Sequence, residues 1–548
     1  MSPYFTGLDE IDKPGSAESR RRLPVQMRRA GASSPENCWK ITYQDKSALR
    51  MKQSERIDLQ AASWLALWVL LGCGIAGWRQ PAAAGHPNIV LVLVDDMGYG
   101  DAACFNPESK IPTPHLNALA RQGIRFTDAH APGPLCHMSR YGLMTGRYPF
   151  RTNVNRWPEH ALIQPDQVTL ASFLKESGYT TAMIGKWHLG FEESGYTNPL
   201  PGGPVDVGFD HYFGIRASTD IPPYFYIRGD RAVNPPSERI AANTTAGWSP
   251  IQGKFWRAGG IAPDLELPDV LPRFTEEALA VIDEHARSQN ESPLFLYVAF
   301  PAPHTPWLPS KDFQGTSDAD LFGDFMVMVD DMTGQIIASL DENNLSSNTL
   351  FLFTSDNGPV WYETDVERFD HDSSGGWRGM KADAWEAGHR MPMIVRWPGH
   401  TASGTESDQL VCFTDILATL ADAIGRPLPE DAGPDSISFL PAMTGQSVGP
   451  NDMRQQWAMR SGGGMMVVRD GDWKWINGIG SGGFSKPRRV EKLRANAPST
   501  QLYNLAEDPA EMINVANLYP ERVARMRSIL EATLKEGLDP SSPLSKRP

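Results

Sequence analysis

Cysteine is scarce in this chain. The five cysteines among 548 residues (Cys38, Cys73, Cys104, Cys136 and Cys412) are too few for a disulfide framework, although a pairing of Cys104 with Cys412 stays open. Positive charge is also short: 51 Lys and Arg stand against 65 Asp and Glu, for a net charge of −14. That excludes nucleic acid as a general partner, because phosphate neutralisation needs a basic surface. A long apolar run is missing as well. The stretch Leu65-Ala66-Leu67-Trp68-Val69-Leu70-Leu71 is short and gives way to Trp78-Arg79-Gln80-Pro81, which argues against a membrane span. There is no internal repeat, no low-complexity tract and no Cys/His ligand set of the kind zinc prefers. What remains is an ordinary globular composition, 41% hydrophobic and 21% charged. The length suits one large domain plus a smaller one.

The N-terminus reads as an address. Residues 1–50 are polar, with Arg20-Arg21-Arg22 and no sustained apolar period, and are expected to be disordered or an over-extended start. Residues 51–84 have the form of a secretory signal: Lys52 and Arg56, the apolar run from Leu65, and Ala82-Ala83-Ala84 as a cleavage site. An exported protein, periplasmic or extracellular, is the expectation. Leu70-Leu71-Gly72-Cys73 also resembles a lipoprotein box, so the membrane is a partner only if Cys73 carries a lipid.

Beyond residue 84, strand and helix patterns alternate. Asn88 to Val94 is an unbroken apolar run, as expected of a strand buried on both faces of a parallel sheet. Thr113 and Pro114 open a helix that Gly123 stops. Similar units follow: a helix at Leu170–Leu174 before a strand at Tyr179–Ile184, a helix at Glu276–Arg287 before Leu294–Phe300, and one at about Asp318–Leu340 before Thr349–Thr354. Met391 to Trp397 forms a further strand. This predicts an α/β fold with a large, mostly parallel sheet sandwiched by helices, over residues 85–434. Residues 435–548 are expected to form a smaller C-terminal antiparallel-sheet subdomain. Trp457–Arg460, Met465–Arg469 and Trp473–Ile476 are its short strands, a basic loop runs from Lys486 to Arg494, and a helix at about Glu521–Glu536 closes it. Asp206 to Pro272 has no clear period and is rich in Pro, Gly, Trp and Tyr; it reads as a pocket wall or a variable surface insertion.

Four strands end in polar clusters: Asp95-Asp96, Gly185-Lys186-Trp187-His188, Pro303-His304-Thr305-Pro306 and Ser355-Asp356-Asn357-Gly358. In open α/β sheets ligands bind at the carboxyl ends of strands, so these clusters are expected to converge. Asp95, Asp96, Asp356 and Asn357 are oxygen donors suited to Ca²⁺ or Mg²⁺, although an Asp pair after a strand is also a common solvated turn. Lys186 and His188 point the same way if strand geometry continues through them. His304, between prolines, is a held imidazole or a loop former. Cys136 is followed by Arg140 and Arg147 and preceded by the breakers Pro132, Gly133 and Pro134. A reactive cysteine needs such a polar, electropositive, partly exposed setting. A helix starting at Ser139 would put Cys136 just before its positive end.

The stretch Cys136-His137-Met138-Ser139-Arg140, continuing to Met144-Thr145-Gly146-Arg147, closely resembles the signature of the formylglycine-dependent (type I) sulfatases, which have the alkaline-phosphatase-like fold. Met138 stands where that family usually has proline, sometimes alanine. Val94-Asp95-Asp96-Met97-Gly98 and Ser355-Asp356-Asn357-Gly358 are similar to its metal motifs, Arg378-Gly379-Met380-Lys381 with Trp385-Glu386-Ala387-Gly388 to its second signature, and Leu502-Tyr503-Asn504-Leu505 to a C-terminal motif. Ala382 and Ala387 replace usual glycines. The resemblance implies hydrolysis of a sulfate ester, arylsulfatase-like and expected on a sulfated carbohydrate. It implies a formylglycine made from Cys136 by a formylglycine-generating enzyme, and Ca²⁺ held by Asp95, Asp96, Asp356 and Asn357 with residue 136 as a further ligand. One hydroxyl of the aldehyde hydrate would attack sulfur with Asp356 as base. His304 and Lys381 would aid the leaving oxygen, His188 would take the second hydroxyl's proton, and Arg140 and Lys186 would hold charge. Ser218 loosely matches a substrate-contacting serine. The alternatives are a phosphatase or phosphodiesterase of the same fold, and a non-catalytic sulfoglycan-binding protein with unconverted Cys136.

Overall fold

The computed structural model describes residues 85–157, 160–288, 291–447, 449 and 452–535. The expected signal at 51–84, the start at 1–50, and Cys38 and Cys73 lie outside the described residues. Ten strands make the large sheet. In chain order they are β1 (Asn88–Asp95), β2 (Ile124–Phe126), β3 (Thr180–Lys186), β4 (His211–Ile215), β5 (Tyr226–Arg228), β6 (Arg231–Ala232), β7 (Leu294–Pro303), β8 (Thr349–Ser355), β9 (Met393–Arg396) and β10 (Thr405–Ser407). Across the sheet the order is β10-β2-β9-β8-β1-β7-β3-β4-β5-β6. The central strands β8, β1, β7, β3 and β4 are parallel, while β9 and β5 run antiparallel to their inner neighbours.

Every residue of β1, β7 and β8 is buried, so both faces of the centre are covered, as their continuous apolar sequences require. The covering helices are α1 (Pro114–Gln122), α2 (Cys136–Thr145), α3 (Leu170–Glu176), α4 (Val270–Arg287), α5 (Asp320–Glu342) and α6 (Ile416–Ala423). Helix α4 starts six residues ahead of the expected Glu276, because Val270, Leu271 and Phe274 already bury on the core. The stretch from Asp206 to Pro272 holds more structure than its missing period suggested. It contributes β4, β5 and β6 to the sheet and a hairpin pairing Glu238–Ile240 with Gly259–Ile261. Its aromatics mostly pack inward, Tyr226 on Phe213 and Trp248 on Phe369 and Trp307. Among the described residues no helix is long and apolar enough to cross a membrane.

A four-stranded antiparallel sheet follows: β11 (Gln456–Arg460), β12 (Met466–Asp470), β13 (Trp473–Ile476) and β14 (Gln501–Asn504), with helix α7 (Pro520–Lys535) on it. Cys104 and Cys412 are free, Cys412 sitting in the apolar cluster under this sheet. A buried polar network ties the sheet to the loops that follow Lys381 and Phe126. Lys474 of β13, fully buried, lies 2.9 Å from Glu386 and 2.9 Å from Glu511, and its ammonium donates to His389 Nε2 at 3.1 Å. That fixes a proton on His389 Nδ1, which faces His130 Nδ1 at 3.0 Å, while His130 Nε2 donates to Asp128 Oδ1 at 2.8 Å. His130, Glu386 and His389 are close enough together to suggest a metal site. Their lone pairs are instead taken up by this relay and by Arg390, 2.8 Å from Glu386.

A buried charge that loses its partner is costly. Replacing Lys474 by Met leaves Glu511 facing Glu386 without its cation, and is expected to cost about 3 kcal/mol of unfolding free energy. Denaturant titration checks this; a change below about 0.5 kcal/mol, the size of an ordinary surface effect, contradicts it.

Candidate active site

The register of the central strands brings the predicted clusters together. Val94 pairs with Ser355, Asp95 with Pro303 and Ala299 with Gly185, so the carboxyl ends of β8, β1, β7 and β3 lie side by side. Asp95, Asp96, Asp356, Asn357, Lys186, His188, His304 and Lys381 are all buried there. Helix α2 brings Cys136 and Arg140. It begins at Cys136 and not at Ser139, since Leu135 is still extended and its carbonyl accepts the first helical bond, from Ser139 N, at 3.0 Å. Cys136 therefore sits in the helix's first turn, and Arg140, four residues on, shares its face.

The contacts form one charge-balanced cluster. The Cys136 thiol donates to Asp95 Oδ1 at 3.3 Å, and Lys381 Nζ stands 3.3 Å from Cys136 Sγ. Lys186 bonds Asp95 Oδ2. Lys381 Nζ donates to Asp96 Oδ1 at 2.5 Å. Arg140 donates to Asp356 Oδ2 through Nε (2.9 Å) and Nη2 (2.7 Å), and to the Lys186 carbonyl at 3.0 Å. His304 Nδ1 donates to the Thr305 carbonyl at 2.6 Å, which leaves Nε2 as the acceptor, 3.6 Å from Asp96 Oδ2.

Lys186 and His188 do not follow strand alternation, because β3 ends at Lys186 and His188 takes a left-handed φ of 59°. The His188 ring instead packs edge-on against Trp157, with centroids 4.4 Å apart, and near His137; neither ring nitrogen has a hydrogen-bond partner. Ser218 lines a small cavity with Ile215, Tyr224 and Leu265, its hydroxyl unpartnered. From the same turn it is Asp220 that reaches the cluster, with Oδ1 4.0 Å from His304 Nδ1 and Oδ2 2.5 Å from Arg257. Asp220 and His137 went unassigned in the sequence. Asp220 follows the unrecognised strand β4, whose carboxyl end is a fifth strand end at the same edge, and His137 is simply the residue next to Cys136.

The setting of Cys136 differs from the expected electropositive, partly exposed one. It is 4% exposed. Burial pushes its thiol well above the ordinary range, the Asp356 and Asp95 carboxylates add to that, and Lys186 and Lys381 only oppose it. An unmodified Cys136 is thus a poor thiolate nucleophile. Burial pushes Asp356 up to about 7, with Asp95 adding and Arg140 opposing. Burial would also raise Asp95, but Lys186, His304 and Arg140 outweigh it and hold that carboxylate well below its usual value. Burial, with Lys381, lowers His304 to about 4, and burial with Lys186 lowers His188 well below its ordinary value. Both imidazoles are neutral near pH 7.

The donor set fits a hard divalent cation. Three carboxylates converge, and Asn357 Oδ1 is buried without a partner while its Nδ2 donates to Asp96 Oδ1 (2.6 Å) and the Gly358 carbonyl (2.9 Å). A carbonyl oxygen left unpaired beside carboxylates is what Ca²⁺ or Mg²⁺ takes as a ligand. Ligand atoms of Asp95, Asp96, Cys136 and His304 lie within 4.8 Å of one another.

Comparison with known proteins agrees with this geometry. The sulfatase family profile matches residues 87–426. An N-acetylgalactosamine-6-O-sulfatase of Bacteroides thetaiotaomicron is 33% identical over 484 residues, covering 81% of this chain and 93% of that one. The human steryl-sulfatase is 32% identical over 418 residues, covering 67% and 71%. A structure solved in work on the metabolism of multiple glycosaminoglycans by Bacteroides thetaiotaomicron superposes with a TM-score of 0.72 at 32% identity, covering 82% of this chain and 99% of that one.

If the carboxylate cluster holds a cation, adding Ca²⁺ to chelator-treated protein will raise the melting temperature. The gain corresponds to about 2.7 kcal/mol at a hundredfold excess over the dissociation constant. Asn357→Ala is expected to lose most of that shift. A melting curve indifferent to both Ca²⁺ and Mg²⁺ contradicts the assignment.

Proposed function

The chain belongs to the sulfatase family, and we propose that it releases sulfate from a sulfated carbohydrate at the Cys136 centre. As a member of that family it hydrolyses sulfate esters. The observation that carries the rest is the set of cations and neutral imidazoles gathered round residue 136: Lys186, Arg140 and Lys381 beside the carboxylates, His304 and His188 at the rim. The carbohydrate substrate is supported by the N-acetylgalactosamine-6-sulfatase relatives. Residue 136 works as formylglycine, formed from Cys136 by a formylglycine-generating enzyme; its hydrate supplies the nucleophilic hydroxyl that a buried thiol does not. Asp95, Asp96, Asp356 and Asn357, with residue 136, would hold a divalent cation, Ca²⁺ in preference to Mg²⁺, which would supply Lewis-acid polarisation of the sulfate oxygens.

The chain's own residues do the following. Asp356, raised toward 7 by burial, accepts the proton of the attacking hydroxyl. Arg140 fixes Asp356 Oδ2 through two N–H bonds, so Oδ1, which accepts only a long bond from Asp96 N at 3.4 Å, serves that task. Lys381 Nζ, 3.3 Å from Sγ of residue 136, carries the proton for the oxygen that departs with the sugar. His304 Nδ1–H is spent on Thr305, so its Nε2 stands beside that oxygen as an acceptor that helps orient it. Lys186 offsets negative charge on the sulfuryl oxygens. His188, with both nitrogens unengaged, takes the second hydroxyl's proton to release sulfate. Ser218, whose hydroxyl is unpartnered, and Asp220, 4.0 Å from His304 Nδ1, are the groups of this turn that would contact the sugar. The pattern at residues 51–84 supports export to the periplasm or beyond, with a lipid at Cys73 as the variant form. Residues 85–434 make the catalytic domain and 435–548 the C-terminal subdomain.

Turnover of 4-nitrophenyl sulfate against 4-nitrophenyl phosphate tests the reading. The sulfate is expected to be preferred by at least roughly tenfold. Lys381→Ala and His304→Ala should each lower kcat by about 10²–10⁴-fold, the range for a group acting on a leaving oxygen. A preference for phosphate assigns the site to the phosphatase alternative.

A further inference from the structure

On a chain of net charge −14, the nine residues Lys486 to Arg494 carry Lys486, Arg488, Arg489, Lys492 and Arg494 against Glu491 alone, a local excess of +4 (five minus one). Lys486, Arg489, Lys492 and Arg494 are exposed. The loop is anchored beside the site already described. Ser485 N donates to Asp383 Oδ1 at 3.1 Å, and Ala384 N to the Ser481 carbonyl at 2.6 Å. Gly483 lies so close to the turn after Lys381 that a Cβ there would stand 2.3 Å from the Ala382 carbonyl carbon, which only glycine avoids. The base of the loop is thus two residues from Lys381, whose Nζ is 3.3 Å from Cys136 Sγ.

The loop also holds its own shape. Ser481 N donates to the Pro487 carbonyl, Gly482 N to that of Arg488 and Val490 N to that of Ile479, each at 2.9 Å. Fixed cations at the edge of a cleft focus its field and raise the local concentration of an anion.

Resting on the sulfatase reading, we propose that this loop is a docking surface for a further acidic group of an extended carbohydrate, a second sulfate or a carboxylate, beyond the sulfate that is cleaved. The chain then favours an acidic oligosaccharide over an isolated sulfated sugar. The preference comes from the small-sheet end of the chain and not from the strand ends that perform the chemistry.

The test measures inhibition of 4-nitrophenyl sulfate turnover by two probes, N-acetylgalactosamine 6-sulfate and a chondroitin 6-sulfate oligosaccharide. Wild-type enzyme is compared with the triple variant Lys486→Ser, Arg489→Ser, Lys492→Ser. The oligosaccharide should bind wild type about tenfold more tightly than the monosaccharide, and that advantage should collapse in the triple variant. A charge-keeping variant, Lys486→Arg, Arg489→Lys, Lys492→Arg, should retain it. An advantage missing from the wild type, or unchanged in the triple variant, overturns the proposal. Calorimetric binding of the same two probes reads the loop independently of turnover. Absent ester cleavage therefore counts against the sulfatase reading, and absent oligosaccharide preference against the loop.

Discussion

Three buried carboxylates and three buried cations must balance at one point, and most of the structure answers to that requirement. Burial raises the Asp356 and Asp96 carboxyls, and the neighbouring Asp95 carboxylate adds to it, so the three do not ionise freely without their cations. Lys186, Arg140 and Lys381 come from a strand, a helix and a loop widely separated in sequence, and each pairs with a different carboxylate. The balance can form only where parallel strands end side by side, which is why β8, β1, β7 and β3 sit at the centre of the sheet, with apolar residues on both faces. The surplus oxygen of Asn357 and the paired carboxylates leave a place for a hard cation.

The same constraint gives the small sheet a purpose. Lys381 lies on a turn, and turns are where a chain is least held. Here the turn is pinned from both sides. The loop around Ser481–Ser485 lies against Ala382–Ala384, and Lys474 of β13 holds Glu386 a few residues on. Ala382 is held in the left-handed region at φ 72°, where a glycine would sit without strain. Burial also bears on the modification. Cys136 is 4% exposed, Met138 5% and Arg140 1%, and Met138 packs in the core cluster beside Gly133. In the folded chain this segment is closed to a modifying enzyme, so the proposed conversion of Cys136 would have to come before the fold is complete.

Much of this was legible in the sequence, for a physical reason. Strands buried on both faces leave continuous runs of branched apolar residues, so β1, β3, β7 and β8 and the polar clusters at their ends could be read directly. The cluster's assembly followed from the rule for strand ends. Strand β4 could not be read that way, because His211-Tyr212-Phe213-Gly214-Ile215 is short and carries a glycine and an exposed histidine, and with it went the placement of Asp220. The first turn of α2 was misplaced because no capping side chain precedes Cys136. The network of Lys474, Glu386, His389 and His130 joins residues as much as 344 positions apart, a pairing with no local signature.

The account rests on residue 136 being an aldehyde and not a thiol. The mass of the tryptic peptide that begins after Arg125 and ends at Arg140, taken from chain that releases sulfate, decides this. The account predicts the formylglycine mass; an intact cysteine in protein that turns over a sulfate ester contradicts it.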